Sequence, residues 1–193
     1  MLSYKFNKMQ TKVFARKCII ADVDFDDVYK FLDGNHLQGG LQKKSSHSYG
    51  LYYMDRLVAL IVIGKPRFDS AYEFEVLRFC SLLNTNVVGG FSKLFKHFVK
   101  TVNPKNVITY ADFRYSSGKV YETNGFVYKR RSPPSYYYMP NYLGRSNRLS
   151  YQKHLLEDKL KMFDPNLTEW ENMQVNGYDR IWDCGNLVYE WVG

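Results

Sequence analysis

Residues 87–126 constrain the fold more than any other stretch of the chain. They open on two consecutive glycines, Gly89 and Gly90. A run follows in which Leu94, Phe95, Phe98 and Val99 recur at helical spacing while Lys93, Lys96 and Lys100 fall on the other side, which predicts an amphipathic helix over 92–100. Pro104 marks the turn after it. A β-branched strand at 107–111, a helix at 118–124 closed by Gly125 and a strand from Phe126 complete a β-α-β unit. Such a unit demands a sheet with a helix packed on it.

The residues before this unit supply the rest of that sheet. A first strand is expected at 13–20, and a short helix at 24–32, where Phe25, Val28, Tyr29 and Leu32 share a face behind acidic start signals, ended by Asp33, Gly34 and Asn35. Strands at 49–53, 57–63 and 72–80 then form an antiparallel meander. Beyond the unit, Pro133 and Pro134 interrupt pairing before a strand at 135–139. The tail reads as a helix over 150–162, a second short helix over 167–173 capped by Asn166 or Thr168, and a terminal hairpin of 179–182 with 187–191. The fold class is therefore α+β: a mixed, mostly antiparallel sheet flanked by helices, with residues 1–140 as the main domain and 141–193 as a helix and hairpin extension.

Charge is unevenly distributed along the 193 residues. Residues 112–153 hold 8 Lys and Arg against 2 Asp and Glu, whereas residues 154–193 hold 3 against 8. The basic block interleaves Arg114, Lys129, Arg130, Arg131, Arg145 and Arg148 with Tyr136, Tyr137, Tyr138 and Tyr142, a pattern suited to neutralising phosphates and stacking on bases. It equally suits a solvated basic face. Three scattered cysteines suggest neither a disulfide framework nor a zinc site, His47 and His97 lack partners at metal-ligand spacing, so zinc is not expected, and the use of another metal is left undecided. No apolar run approaches a membrane span and no signal-peptide core is evident, so a reducing cytoplasm is the expected setting.

Chemistry is expected where these elements meet. Unpaired N–H groups at a helix start, with glycines that let a ligand approach the backbone, suit the pyrophosphate of a cofactor such as coenzyme A. Val88, Gly89, Gly90, Phe91, Ser92 and Lys93 form that candidate cradle, with the Ser92 hydroxyl as cap or ligand. Asp112 ends a buried strand, where a carboxylate is costly unless paired or working, so it is a candidate general base or a cap for the following turn. Arg78, between Leu77 and Phe79, needs a partner, either a phosphate or Asp112. His36, in a loop before Gln38 and two glycines, is a candidate proton carrier, metal ligand or base reader.

The order β-α-β-β-β-α-β-α-β, with a glycine turn after the meander and a Tyr-x-x-x-Gly-Phe helix end at Tyr121 to Phe126, resembles the GNAT acyltransferase fold. That resemblance assigns Tyr121 as the general acid for a leaving thiolate and implies acetyl-CoA or another CoA-type or aminoacyl donor. A further set, including Asn35 to Gly39, Tyr49 to Tyr53, Leu77 to Cys80, Tyr110 to Asp112 and Thr168 to Asn186, is similar to a phage-encoded GNAT-like family related to the Mom DNA-modification proteins and to domains that accompany homing endonucleases. It implies modification of an exocyclic amine of adenine in DNA and protection from restriction, on a single-stranded or flipped nucleotide. No HNH or GIY-YIG nuclease motif is present. Three readings stay open: this transferase, a non-catalytic DNA- or protein-binding module acting with a nuclease, and a GNAT enzyme acylating a protein or small-molecule amine. Donor identity, oligomeric state and any homodimer are left undecided.

Overall fold

The computed structural model describes residues 10–41 and 43–193. Two compact units emerge. The first takes in the described residues up to Ala111 together with Gly118–Arg130 and Val188–Gly193; the second consists of Asp112–Ser117 and Arg131–Leu187. The expected boundary at 140/141 falls inside the second unit.

The first unit is built on a seven-stranded sheet. Its members are β2 (Ile19–Asp22), β3 (His47–Tyr53), β4 (Arg56–Gly64), β5 (Phe74–Ser81), β7 (Asn106–Asp112), β8 (Val127–Arg131) and β12 (Asn186–Val192), in the order β2-β3-β4-β5-β7-β12-β8. The expected single strand at 13–20 is two. β1 (Thr11–Phe14) pairs in parallel with β6 (Thr85–Val88), and β2 pairs with β3, because a 3-10 turn at Ala15–Lys17 breaks the run.

Helices cover both faces. α1 (Phe25–Asn35) starts at Asp24, whose side chain accepts the Asp27 N–H at 3.0 Å. It runs through Gly34, the expected stop, because Asn35 bonds back to the Phe31 carbonyl at 2.7 Å and accepts the Leu83 N–H at 2.7 Å. Val28, Phe31 and Leu32 of α1 pack with Leu60 and Val62 of β4 on one face. α2 (Gly90–Val102) covers the other, where Phe91 meets Phe79 edge-on at 5.3 Å.

Two features of β5 position the site. Val62 faces Arg78 while Ile63 faces Val76, so Leu77 is an extra residue, a bulge that bends the strand. β5 and β7 pair in parallel only from Phe74↔Val107 to Val76↔Thr109, although both strands run on. Beyond Val76 and Thr109 they part, and the sheet forks. At the start of β5, the fully buried Glu75 carboxylate accepts Arg67 N–H, Nε and Nη2 at 2.8, 2.8 and 2.6 Å. β8 forms one edge of the sheet and is exposed along its whole length.

The second unit holds β9 (Tyr136–Pro140), β10 (Ser146–Asn147) and β11 (Tyr178–Trp182), ordered β10-β9-β11, with α4 (Glu169–Val175). α3 (Lys119–Glu122) belongs to the first unit. The expected helix over 150–162 does not form. Two 3-10 turns, Arg148–Tyr151 and Lys153–Leu155, replace it, with Gln152 extended between them, so that Tyr151 and Leu156 reach a core of Tyr136, Tyr138 and Met173. α4 begins at Thr168 with a reciprocal capping box to Glu171. The expected terminal hairpin does not form either. β11 pairs with β9, and β12 joins the large sheet, the turn between them being held by Asp183, which accepts N–H bonds from Ser135 and Gly185, both at 2.8 Å.

Candidate functional site

Gly89 stands at the N-cap of α2 in the left-handed region, φ 77°, with no side chain capping the helix. The first N–H groups of a helix have no partner within it, so they face outward with the positive end of its dipole. A groove of about 500 Å³ opens there, lined by Phe14, Arg16, Val88, Gly89, Ser92 and Lys96 among others. A side chain at Gly90 would crowd Val87, whose Cγ1 lies 3.2 Å from an added Cβ. An open groove thus lies at Val88, Gly89, Ser92 and Lys93, and its glycine, cations and main-chain donors are of the kind that could hold a pyrophosphate.

Two members of the expected set play other parts. Phe91 is buried, with its ring against Phe79, Phe95 and Tyr121, so it offers the groove only its main chain. Lys93 lines the groove, yet its Nζ donates to the Ala15 and Cys18 carbonyls at 3.0 and 2.6 Å, pinning α2 to the 3-10 turn between β1 and β2. Arg16 from that turn was missed, since an uninterrupted strand would have carried it elsewhere.

Tyr121 lies at the vertex of the fork. Its phenol is hydrogen-bonded to the side chain of Thr109, the last residue of β7 paired with β5. Burial raises the phenol above its ordinary pKa and the Thr109 bond offsets only part of that, so the group stays protonated at neutral pH. Its ring meets Phe91 edge-on at 5.3 Å, which connects the phenol to the first turn of α2.

Arg78 and His36 are brought together on the α1 face. Arg78 and Cys80 lie opposite Val62 and Leu60, the β4 residues that pack on α1, and His36 follows α1 directly. Arg78 donates to the Leu77 carbonyl at 2.7 Å. Burial, with the Arg78 charge adding to it, lowers His36 to about 4, and burial lifts the neighbouring Cys80 thiol to about 12. His36 Nδ1 accepts the Gln38 N–H at 3.1 Å, so the neutral ring carries its proton on Nε2. The other ring nitrogen, Nε2, is therefore a donor.

This placement has a pH signature. A histidine whose folded pKa lies below the ordinary 6.5 binds fewer protons when folded, so its contribution to stability is complete above about pH 6.5 and is lost as pH falls toward 4. The slope is at most about 1.4 kcal/mol per pH unit, and partial exposure of the ring reduces it. Urea unfolding at pH 7.0, 6.0 and 5.0 should show the loss in the wild type and a flatter profile in His36→Asn, whose amide oxygen can still accept the Gln38 N–H. Parallel profiles would remove the assignment.

Asp112 does not pair with Arg78. Its carboxylate accepts Arg114 N–H and Nε at 3.0 Å on one oxygen and Nη2 at 2.6 Å on the other, all within the second unit. Burial alone would push the carboxyl up; the Arg114 bonds and charge, with Arg145, outweigh it and hold it below the usual range. A carboxylate so clamped is a weak base and fixes the turn after β7.

The expected nucleic-acid set divides. Tyr136 and Tyr138 are buried, and both phenols donate to Glu169, at 3.1 and 2.6 Å, so neither can stack on a base. Arg114 is committed to Asp112, Lys129 pairs with Glu190 at 2.7 Å, and Arg131 donates to the Cys184 carbonyl at 2.7 and 3.1 Å. Arg130, Arg145 and Arg148 are exposed, the last two lying over the Tyr137 and Tyr136 rings. Tyr142 and Trp182 are exposed in the second unit, the Tyr142 phenol donating to Asp179 at 3.0 Å and the Trp182 ring lying 4.8 Å from that of Tyr136. Among the described residues no group of three or more His, Cys, Asp or Glu could hold a metal, and no helix is long and apolar enough to cross a membrane.

No protein-family model matches the sequence, and no curated protein is similar to it. Among solved structures, a Bacillus subtilis acetyltransferase in complex with CoA is 11% identical, over 92% of this chain and 99% of that one, with a TM-score of 0.49. The ribosomal-protein-S18-alanine N-acetyltransferase of Escherichia coli is 10% identical over 91% and 93%, also at 0.49. An N-acetyltransferase from Staphylococcus aureus is 10% identical over 91% and 98%, again at 0.49. At this level of similarity the reading of the site rests on its own residues.

Proposed function

We propose that the chain is a GNAT-like transferase that moves an acyl group from a coenzyme A type donor to an amine, and that the amine is the exocyclic group of a nucleobase, adenine first, in DNA. The observation that carries the reading is the fork between β5 and β7, with the Tyr121 phenol at its vertex and the α2 groove joined to it through Phe91. A thioester donor, when bound, supplies an acyl carbon open to attack. The main chain at Gly90 to Ser92, with Arg16 and Lys96, holds its pyrophosphate. Tyr121 would give its proton to the departing sulfur as the carbon–sulfur bond breaks and the carbon–nitrogen bond forms, and the proton lost by the amine would pass to solvent, from which the phenol is restored. On the α1 face, Arg78 and His36 offer donors that orient the acceptor.

The acceptor follows from what these residues lack. Nε2 of the neutral His36 carries its proton, so an acceptor that arrives uncharged is favoured. A nucleobase amine meets that condition at neutral pH, and a lysine does not. Arg145 and Arg148 support phosphate contact, and Tyr142 and Trp182 take over the stacking role from Tyr136 and Tyr138. Modification of that amine would protect the DNA from restriction. A small-molecule or protein amine is the second reading, favoured by the burial of those two tyrosines.

Calorimetry with CoA and a transfer assay test the proposal. Ser92→Glu keeps a residue well suited to the first turn of a helix while setting a carboxylate against the anion, and should weaken CoA binding at least about tenfold. Tyr121→Phe should lower kcat about 100-fold with little change in KM. DNA incubated with acyl-CoA donors and digested to nucleosides should yield a mass-shifted deoxyadenosine. Transfer to small amines with no shifted nucleoside selects the second reading, and the absence of both CoA binding and transfer ends the proposal.

A further inference from the structure

We infer that the second unit is a platform for single-stranded DNA, with bases stacked on Phe113, Tyr115 and Trp182 and phosphates held by Arg131, Arg145 and Arg148; this rests on the DNA reading above. All five arginines of this unit lie over an aromatic ring, the guanidinium carbon 4.0 to 5.3 Å from a ring centroid. Arg131 lies on Phe113 at 4.1 Å, Arg114 on Tyr115 at 5.1 Å and Arg148 on Tyr136 at 4.8 Å. A guanidinium suits such a place because it is flat and weakly hydrated, and a ring face orients it without consuming its donors. Among the described residues only Arg114 of the five is in an ion pair.

The rings are fixed in place yet open. Phe113 and Tyr115, on either side of Arg114 in the turn after β7, are 44% and 43% exposed, and Trp182 is 55% exposed beside the Tyr136 ring. The Phe113 N–H donates to the Gly185 carbonyl at 3.1 Å, and Arg131 donates to the Cys184 carbonyl through Nε and Nη2 at 3.1 and 2.7 Å. Both are thereby tied to the segment that directly follows Trp182. Three aromatic rings left in solvent on one unit are faces for a ligand, since each would gain by burial.

A separated strand fits these faces better than a duplex does. A base can lie on a protein ring only once it has left the stack of its own helix, and such contacts tolerate any sequence. The phosphates of the same strand then meet arginines whose planes are already set, Arg131, Arg145 and Arg148 all being exposed. Duplex readers insert an element into a groove, and α4 is unsuited to that: it has seven residues, Glu169 and Glu171 occupy its first turn, and Asn172 and Met173 are buried.

Fluorescence anisotropy tests the inference, with the whole chain added to a labelled DNA strand of about 12 nucleotides or to its duplex over a range of salt. The strand should bind at least about tenfold more tightly than the duplex. Phe113→Leu and Trp182→Leu keep an apolar side chain but no ring, and each should weaken strand binding at least about fivefold with the urea midpoint unchanged. Arg145→Ala and Arg148→Ala should each lower the slope of log affinity against log salt by about 0.7. Equal binding of strand and duplex, tighter binding of RNA of the same sequence, or ring variants that bind like the wild type would overturn the inference and leave the transferase reading standing. Strand binding lost in the ring variants, with no shifted nucleoside from the wild type, upholds the inference and removes DNA as the acceptor.

Discussion

Replacing Arg67 with alanine is expected to cost about 3 kcal/mol or more of folding stability, although Arg67 sits in a loop before β5. Its guanidinium and main-chain N–H supply all three of the bonds described for the Glu75 carboxylate, whose side chain is fully buried. Removing one partner of a buried pair leaves an uncompensated charge, a loss of roughly 3–5 kcal/mol. The arginine side chain is 42% exposed, which favours the lower end of that range. Replacing both partners removes the orphaned charge. Arg67→Met with Glu75→Met should thus recover most of the stability that Arg67→Ala loses, as read from urea midpoints. A double variant as unstable as the single one would show that the pair acts through loop geometry rather than charge.

Gly118→Ala should be nearly as damaging. Gly118 caps α3 at φ 78°, where an L side chain is strained by about 1–2 kcal/mol. An added Cβ would also fall on the phenol end of Tyr189, a buried ring. Overfilling a packed interior adds roughly 1–3 kcal/mol, so a total near 3 kcal/mol is expected. The damage should spread to function, because Tyr189 lies 5.6 Å from the Tyr121 ring and donates to Glu122 on the same helix. Tyr189→Leu in the Gly118→Ala background relieves the overlap but not the backbone strain. It should restore part of the stability, and a loss below about 1 kcal/mol for Gly118→Ala alone would contradict the packing.

Local pattern predicted much of this molecule. The meander, the amphipathic face of α2 and the run from α2 to β8 follow from periodicities of two and 3.6, which depend on neighbours in sequence, whereas the split of β1 from β2 and the short strand β6 were not expected. The glycine-led start of α2 was readable because glycine adopts its left-handed backbone at the least cost. What sequence concealed depends on distant partners. The bulge at Leu77 exists only against β4, and the short β5–β7 pairing that makes the fork only against β7. Asp112 took its nearest cation, two residues away, instead of Arg78. The Tyr136 to Tyr138 run looked like a binding surface because tyrosines serve cores and surfaces alike; Glu169, more than 30 residues further on, drew two of the three phenols inward. The expected hairpin at the C-terminus failed for a related reason, since the strand on either side of Gly185 found a better partner elsewhere.

The open flank at β8 has a consequence for association. Lys129, Arg130 and Arg131 are consecutive on this exposed strand. A second copy laid against it in the antiparallel sense would bring like charges face to face, which disfavours pairing. Growth of the sheet by self-addition is therefore discouraged, and a segment able to lengthen it would need to be rich in carboxylates.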